Sequence, residues 1–278
     1  MKKYTPMMAL MTLLVSCTGN QTSNTSTSDS LTIEAQQGVV LDTITHHLHK
    51  EIVEGRETPS YDILFRVLAA KGDDEASRQF NSTLTKAFWG RDDIPLDSVI
   101  HTQADSLSRA FESELKEFYD FTGGDNFSSQ YTYEIQSSVA EDSYPGLSAY
   151  RIALSSYLGG AHGSYEEYCV NVNNLTGRAI HYSDFFRDES LPQVKKLIQE
   201  SLMKKNGCTS MDQLVEKTSI CSLGEVYVRD NNFLLLADSV EFLYNPYEIA
   251  PWACGLVTAR VAYSDLTSCI VPDALPQK

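Results

Sequence analysis

At 278 residues, 42% of them hydrophobic and 10% aromatic, the chain has enough apolar side chain to bury one large core or two packed ones, which excludes a wholly disordered protein. Its formal charge of −15 at neutral pH excludes a general affinity for nucleic acid or anionic lipid, and any partner chosen by charge would be cationic. The same charge also serves plain solubility.

Lys2 and Lys3, the apolar run Met7 to Val15 and a small residue before Cys17 form an export signal too short to span a membrane. Leu14-Val15-Ser16-Cys17 resembles the lipobox of bacterial lipoproteins. That resemblance implies cleavage after residue 16 and acylation of Cys17 on its sulfur and its new amino group, with palmitate-type chains. Several acyl chains, at roughly 0.8 kcal/mol per buried methylene, make such an anchor effectively permanent. The expected address is therefore the cell envelope, lipid-anchored, on the periplasmic or cell-surface side. Loss of Lys2 and Lys3 with the signal takes the charge from −15 to −17. Residues 17–30, rich in Ser, Thr and Asn, are expected to be a flexible polar tether.

After Cys17 there remain Cys169, Cys208, Cys221, Cys254 and Cys269. Export permits disulfides, and an odd count leaves at least one thiol free. Cys208 and Cys221 bracket a short helix and make one candidate pair, but the spacings leave the connectivity open. No Cys-x-x-Cys pair occurs, which argues against a zinc knuckle or a thioredoxin-type redox centre.

Thr43 to Val53 reads as an exposed strand. On a strand His47 and His49 share a face, whereas on a helix His46 and His49 would. Either pair would hold a metal only weakly without a third ligand, so no metal is assigned. From Gln79 to Trp89 the apolar positions Phe80, Leu84, Ala87 and Phe88 fall at helical spacing, ended by Gly90. Leu107, Ala110, Phe111, Leu115 and Phe118 predict a second helix of about five or six turns, closed by Gly123-Gly124.

From Gln130 the period becomes two. Tyr131, Tyr133 and Ile135 predict one strand, and Tyr150, Ile152 and Leu154 its antiparallel partner beyond a Pro145-Gly146 turn. Glu166 to Val172 continues as a strand up to the Asn173–Gly177 turn. Capping boxes at Ser190 and Ser210 predict two further helices. Short strands are expected at Val226–Val228, Phe233–Leu236 and Val240–Tyr244, with a last one at Leu256–Tyr263. Helices inserted between antiparallel hairpins give an α+β fold.

The connection between the last two strands carries Pro246, Pro251 and Gly255, which a strand cannot accommodate without a bend. Its Tyr247, Glu248 and Trp252 make a candidate binding surface, or alternatively a plug for the end of a sheet. Two stretches give the chain a family likeness. Tyr157-Leu-Gly-Gly-Ala-His-Gly163 and Phe242 to Leu266, with its Asn-Pro-Tyr-Glu-Ile-Ala-Pro run, resemble the motifs of the RsiV-like extracellular modules, which also occur beside PdaC-type deacetylase domains. Phe80-Asn81 is a weaker match. The likeness covers about Thr43 to Ile270 and implies two tightly packed α+β subdomains, residues 31–175 and 176–278. It also suggests an envelope binding role toward a cationic protein such as lysozyme, or toward a cell-wall glycan.

No Gly-x-Ser-x-Gly elbow, His-Glu-x-x-His helix or phosphate-cradling glycine loop is present, and the Ser-x-x-Lys matches at Ser113 and Ser201 lack their companion motifs. We therefore assign no catalytic residue and no cofactor. His162 is the one candidate to weigh: a base in a glycine-rich turn of a peptidoglycan hydrolase, a member of a ligand site with Tyr157, Tyr247 or Trp252, or a histidine that only fixes its turn by bonding to a backbone carbonyl.

Overall fold

The computed structural model describes residues 33–34, 38–124 and 129–275. The expected signal, the lipidated Cys17 and the tether lie outside them. The described chain is a mixed α+β protein, as its sequence predicts.

A seven-stranded sheet runs in chain order: β1 (Ile33–Glu34), β2 (Val40–Glu51), β3 (Ser60–Lys71), β4 (Gln130–Val139), β5 (Leu147–Tyr157), β6 (Ser164–Asn173) and β7 (Ala179–Ile180). Neighbours are antiparallel except β3 and β4, which are parallel. A parallel pair needs a long crossover, here supplied by α1 (Glu75–Trp89) and α2 (Leu96–Phe121). The strand reading of residues 43–53 is met by β2. The central strand β3 has no counterpart among the sequence expectations, although Tyr61, Ile63, Phe65 and Val67 are buried in alternation with the less buried Asp62, Leu64 and Arg66; only from Val67 to Ala70 is every position buried.

Helix α1 starts earlier than its apolar spacing suggests, because Asp74 caps it by accepting from Ser77 N at 3.0 Å, and it ends where Gly90 turns left-handed at φ 66°. Helix α2 is longer than expected, beginning directly after Pro95, and buries Ile100, Ala104, Leu107, Phe111 and Leu115 along one stripe. Both helices cover the same face of the large sheet and enclose the first core.

The second half supplies α3 (Tyr182–Phe185), α4 (Leu191–Asn206), α5 (Met211–Thr218) and a three-stranded antiparallel sheet of β8 (Phe233–Leu235), β9 (Ser239–Tyr244) and β10 (Val257–Ala262), followed by α6 (Tyr263–Leu266). Phe233, Leu235, Val240, Phe242 and Tyr244 turn toward α4 and α5 and form the second core. Their alternates Leu234 and Leu243 turn the other way and meet Ala149 and Cys169 of the large sheet. The layers therefore run helix, large sheet, small sheet, helix, with the small sheet lying over β5 and β6.

Two polar devices join the sheets. Asn171 on β6 acts as an extra strand residue, donating to Phe233 O at 3.0 Å and accepting from Leu235 N at 2.7 Å. Glu241, 7% exposed on β9, is clasped between Arg151 of β5 and Arg260 of β10, the latter at 2.7 Å.

Three sequence expectations are corrected. Ser190 does not cap α4; its backbone is already helical, and its hydroxyl donates to the carbonyls of Arg187 and Cys269 at 2.7 and 3.0 Å. Val226–Val228 is not a strand, because the Tyr227 carbonyl is taken by Tyr244 and Asn232 side chains rather than by a ladder. Cys208 and Cys221 are not bridged: Cys169, Cys208, Cys221, Cys254 and Cys269 are all free thiols. Burial pushes the Cys169 thiol up to about 12, which keeps it protonated and inert.

Candidate functional site

The tip of the β5–β6 hairpin is built by its glycines. Gly159 and Gly160 take φ of 85° and 92°, a region L side chains rarely enter, and a Cβ on Gly163 would stand 2.7 Å from Ser156 O. Tyr157 Oη donates to Gly160 O at 3.1 Å and closes the turn. His162 Nδ1 lies 2.9 Å from Gly163 O. A carbonyl only accepts, so Nδ1 carries the proton and Nε2 is the acceptor of the neutral ring.

The β9–β10 connection is folded on its own polar groups. Asn245, 7% exposed, grips the backbone of Glu167 on β6 twice, accepting from its N at 2.7 Å and donating to its O at 2.9 Å. Glu248 Oε2 accepts from Asn245 N at 2.6 Å. Tyr247 sits at φ 69° and is 61% exposed. Gly255, at φ 64° and ψ −149°, occupies a conformation open essentially to glycine alone, which explains that residue before β10.

The two segments meet through a ring pair. His162 and Trp252 stack with centroids 4.4 Å apart and planes 24° from parallel, with Trp252 39% exposed. The sequence singled out Tyr157, His162, Tyr247, Glu248 and Trp252. Tyr157 and His162 share the hairpin tip and Trp252 joins them by stacking. Tyr247 stands exposed on the same connection as Trp252. Glu248 has an internal duty, holding Asn245 and adding to the burial that raises the Tyr227 hydroxyl. Sequence reasoning missed Tyr165, 37% exposed beside the tip, and Asn245, whose place at the head of the Asn-Pro-Tyr-Glu run was the available signal.

The acids near His162 in sequence are engaged elsewhere. Glu166 accepts from Tyr168 at 2.8 Å, and Glu167 accepts from Tyr165 and pairs with Arg151. Burial, and then these carboxylates, push the Tyr165 and Tyr168 hydroxyls well above the ordinary tyrosine value. His162 is thus oriented by a backbone carbonyl and an indole face, an arrangement suited to contact rather than to proton relay. Among the described residues no group of three or more His, Cys, Asp or Glu is placed to hold a metal ion, and no helix is long and apolar enough to cross a membrane. His47 and His49 do share a strand face, where both rings bond Asp62.

Residues 183–264 match a domain family described as a protein of unknown function, DUF3298. Two solved structures carry the same description. A DUF3298 family member from Bacteroides fragilis is 21% identical, with a TM-score of 0.75 over 86% of this chain and 96% of that one. A DUF3298 family protein from Pseudomonas aeruginosa is 15% identical, with a TM-score of 0.57 over 87% and 99%. At these identities the likeness is one of fold. No curated protein matches the sequence.

Proposed function

We propose that this protein is a lipid-anchored binding module of the cell envelope that holds a cell-wall glycan against the aromatic surface where the β5–β6 tip meets the β9–β10 connection. The observation that carries the reading is the exposed His162–Trp252 stack, flanked in sequence by exposed Tyr157 and Tyr247. Flat rings offer a sugar's C–H faces a large contact area with little side-chain entropy to lose, and the polar groups around them accept and donate to hydroxyls. The lipobox-like sequence ending at Cys17 supports the anchor, and the polar tether after it supports presentation away from the bilayer.

A second reading has its own support. The charge of −17 on the processed chain favours encounter with a cationic protein such as lysozyme, at a rate that falls with salt. A peptidoglycan hydrolase centred on His162 is the third alternative, and the absence of a carboxylate partner in its bonding counts against it. Calorimetric titration with soluble muropeptides and with lysozyme, each at low and moderate salt, separates them. The glycan reading expects muropeptide binding that tolerates salt and is lost in Trp252→Ala. Salt-sensitive binding of lysozyme alone would favour the second, product formation abolished by His162→Ala the third, and no interaction with either would remove the proposal.

A further inference from the structure

The small sheet lies over β5 and β6, and among the described residues no layer covers the same face of β2, β3 and β4. Strand register fixes what that face presents. One row reads His49, Asp62, Thr132, Tyr157, and the next reads His47, Leu64, Glu134, Ser155, Tyr165. Both rows end at the aromatic tip described above. The following row carries the exposed Arg66 and Gln136 and finishes at Glu167, the residue that Asn245 grips. Five strands at about 4.8 Å spacing make the band roughly 19 Å wide, the reach of an extended oligomer rather than of one sugar ring.

The polar groups on this face are held in place. Asp62 bonds His47 Nε2 at 3.1 Å and His49 Nδ1 at 3.3 Å, and Gln136 Nε2 donates to Glu134 at 2.5 Å. Fixed donors and acceptors lose little freedom on binding, while Leu64 between them offers an apolar spot for a ring face. With histidines counted as neutral, Arg66 offsets one of the two carboxylates Asp62 and Glu134, so these groups leave a single net negative charge and little of the chain's −15 lies on the band. A cationic protein would find its attraction elsewhere; a neutral polyhydroxylated chain fits here.

We infer that the uncovered face of β2–β4 is the continuation of the ligand site, along which an extended amino-sugar oligosaccharide lies with one end stacked at Tyr157, His162 and Trp252. The inference rests on the glycan reading above. It is tested with the full mature chain in detergent by titrating the disaccharide and the hexasaccharide of N-acetylglucosamine. The wild type is expected to bind the hexamer roughly tenfold tighter than the dimer. The double variant Arg66→Ala/Gln136→Ala, which alters only exposed side chains, is expected to keep the dimer affinity and lose the tenfold gain, with an unchanged circular dichroism spectrum. Trp252→Ala should weaken both sugars. A hexamer advantage that survives in the double variant would overturn the sheet-face assignment while leaving the aromatic patch standing, and a wild type that binds neither sugar would overturn both. Lysozyme binding that drops in the same double variant would assign the face to a protein and refute the oligosaccharide.

Discussion

Replacing Asn245 with alanine tests how the candidate site is held. The side chain is buried and makes two hydrogen bonds to one backbone unit, at 2.7 Å from Glu167 N and 2.9 Å to Glu167 O. Each such bond is worth about 0.5–1.5 kcal/mol net, and an orphaned buried partner costs about 1–3 kcal/mol more than a solvated one. With Glu167 not fully buried and its backbone regaining some water, the loss works out at about 2–3 kcal/mol, or roughly 4–12 °C in melting temperature at about 2–4 °C per kcal/mol for a chain of this size. Asn245→Asp should be no milder, because it keeps the acceptor for Glu167 N but sets a carboxylate against Glu167 O and beside Glu248. Urea unfolding at neutral pH, followed by far-ultraviolet circular dichroism, gives the stability change. Tryptophan fluorescence gives the local effect at Trp252. A midpoint shift equivalent to less than about 0.5 kcal/mol in both variants would refute the assignment of Asn245 as the fastener between connection and sheet.

Other outcomes follow from the same structure. Glu241→Ala leaves half-buried Arg151 without its main counter-charge and should cost about 3–5 kcal/mol, whereas a chemical denaturation curve matching wild type would show the clasp to be dispensable. Gly177→Ala should be among the most damaging single changes, roughly 2–4 kcal/mol by the same assay, because its φ is +68° and a Cβ would stand 2.2 Å from Ala76 O and 2.5 Å from Phe80 N; tolerance would mean α1 can lift off the turn. His46, 6% exposed with Nε2 unpartnered, faces His101 at 4.2 Å, with Asp105 also on α2 and His47 beside it on β2. Burial, then the neighbouring His101, holds His46 below its ordinary value of 6.5, with Asp105 opposing them. A lowered histidine means that the unfolded chain binds the proton more tightly. Its contribution is therefore complete above about pH 6.5 and is lost as pH falls from there through the folded value, by about 1.4 kcal/mol per unit of lowering. Between pH 7.5 and 5 the denaturation midpoint of the wild type should fall relative to that of His46→Phe as acid is added, and parallel curves would contradict this.

How much of this was legible beforehand depends on what each segment buries. Helices with one apolar stripe, such as α2, announced themselves, as did the tyrosine alternation of β4 and the bent connection before β10. The strand β3 went unread although Tyr61 to Val67 alternate, because the period breaks where Val67 to Ala70 are all buried, and its parallel pairing with β4 rests on a crossover that no local pattern records. The cap at Ser190 failed for a reason lying far away in sequence, since its hydroxyl is drawn to Cys269 O. Tyr157, His162 and Trp252 could be named from glycine and proline context, but the ring stack that joins them is a product of how the small sheet lies on the large one. Glu248 looked like a ligand residue because an acid in an aromatic loop invites that reading; its backbone partner at Asn245 becomes evident only once the loop is folded.

The account centres on Trp252 as part of a surface that a glycan covers. The protein has two tryptophans, and Trp89 is 8% exposed while Trp252 is 39% exposed, so collisional quenching of fluorescence reports mainly on Trp252. Adding soluble muropeptides to the mature chain should lower the acrylamide quenching constant in a saturable way, and Trp252→Phe should abolish that drop. Quenching that stays constant through a titration in which calorimetry registers binding would place the ligand elsewhere and contradict the central claim.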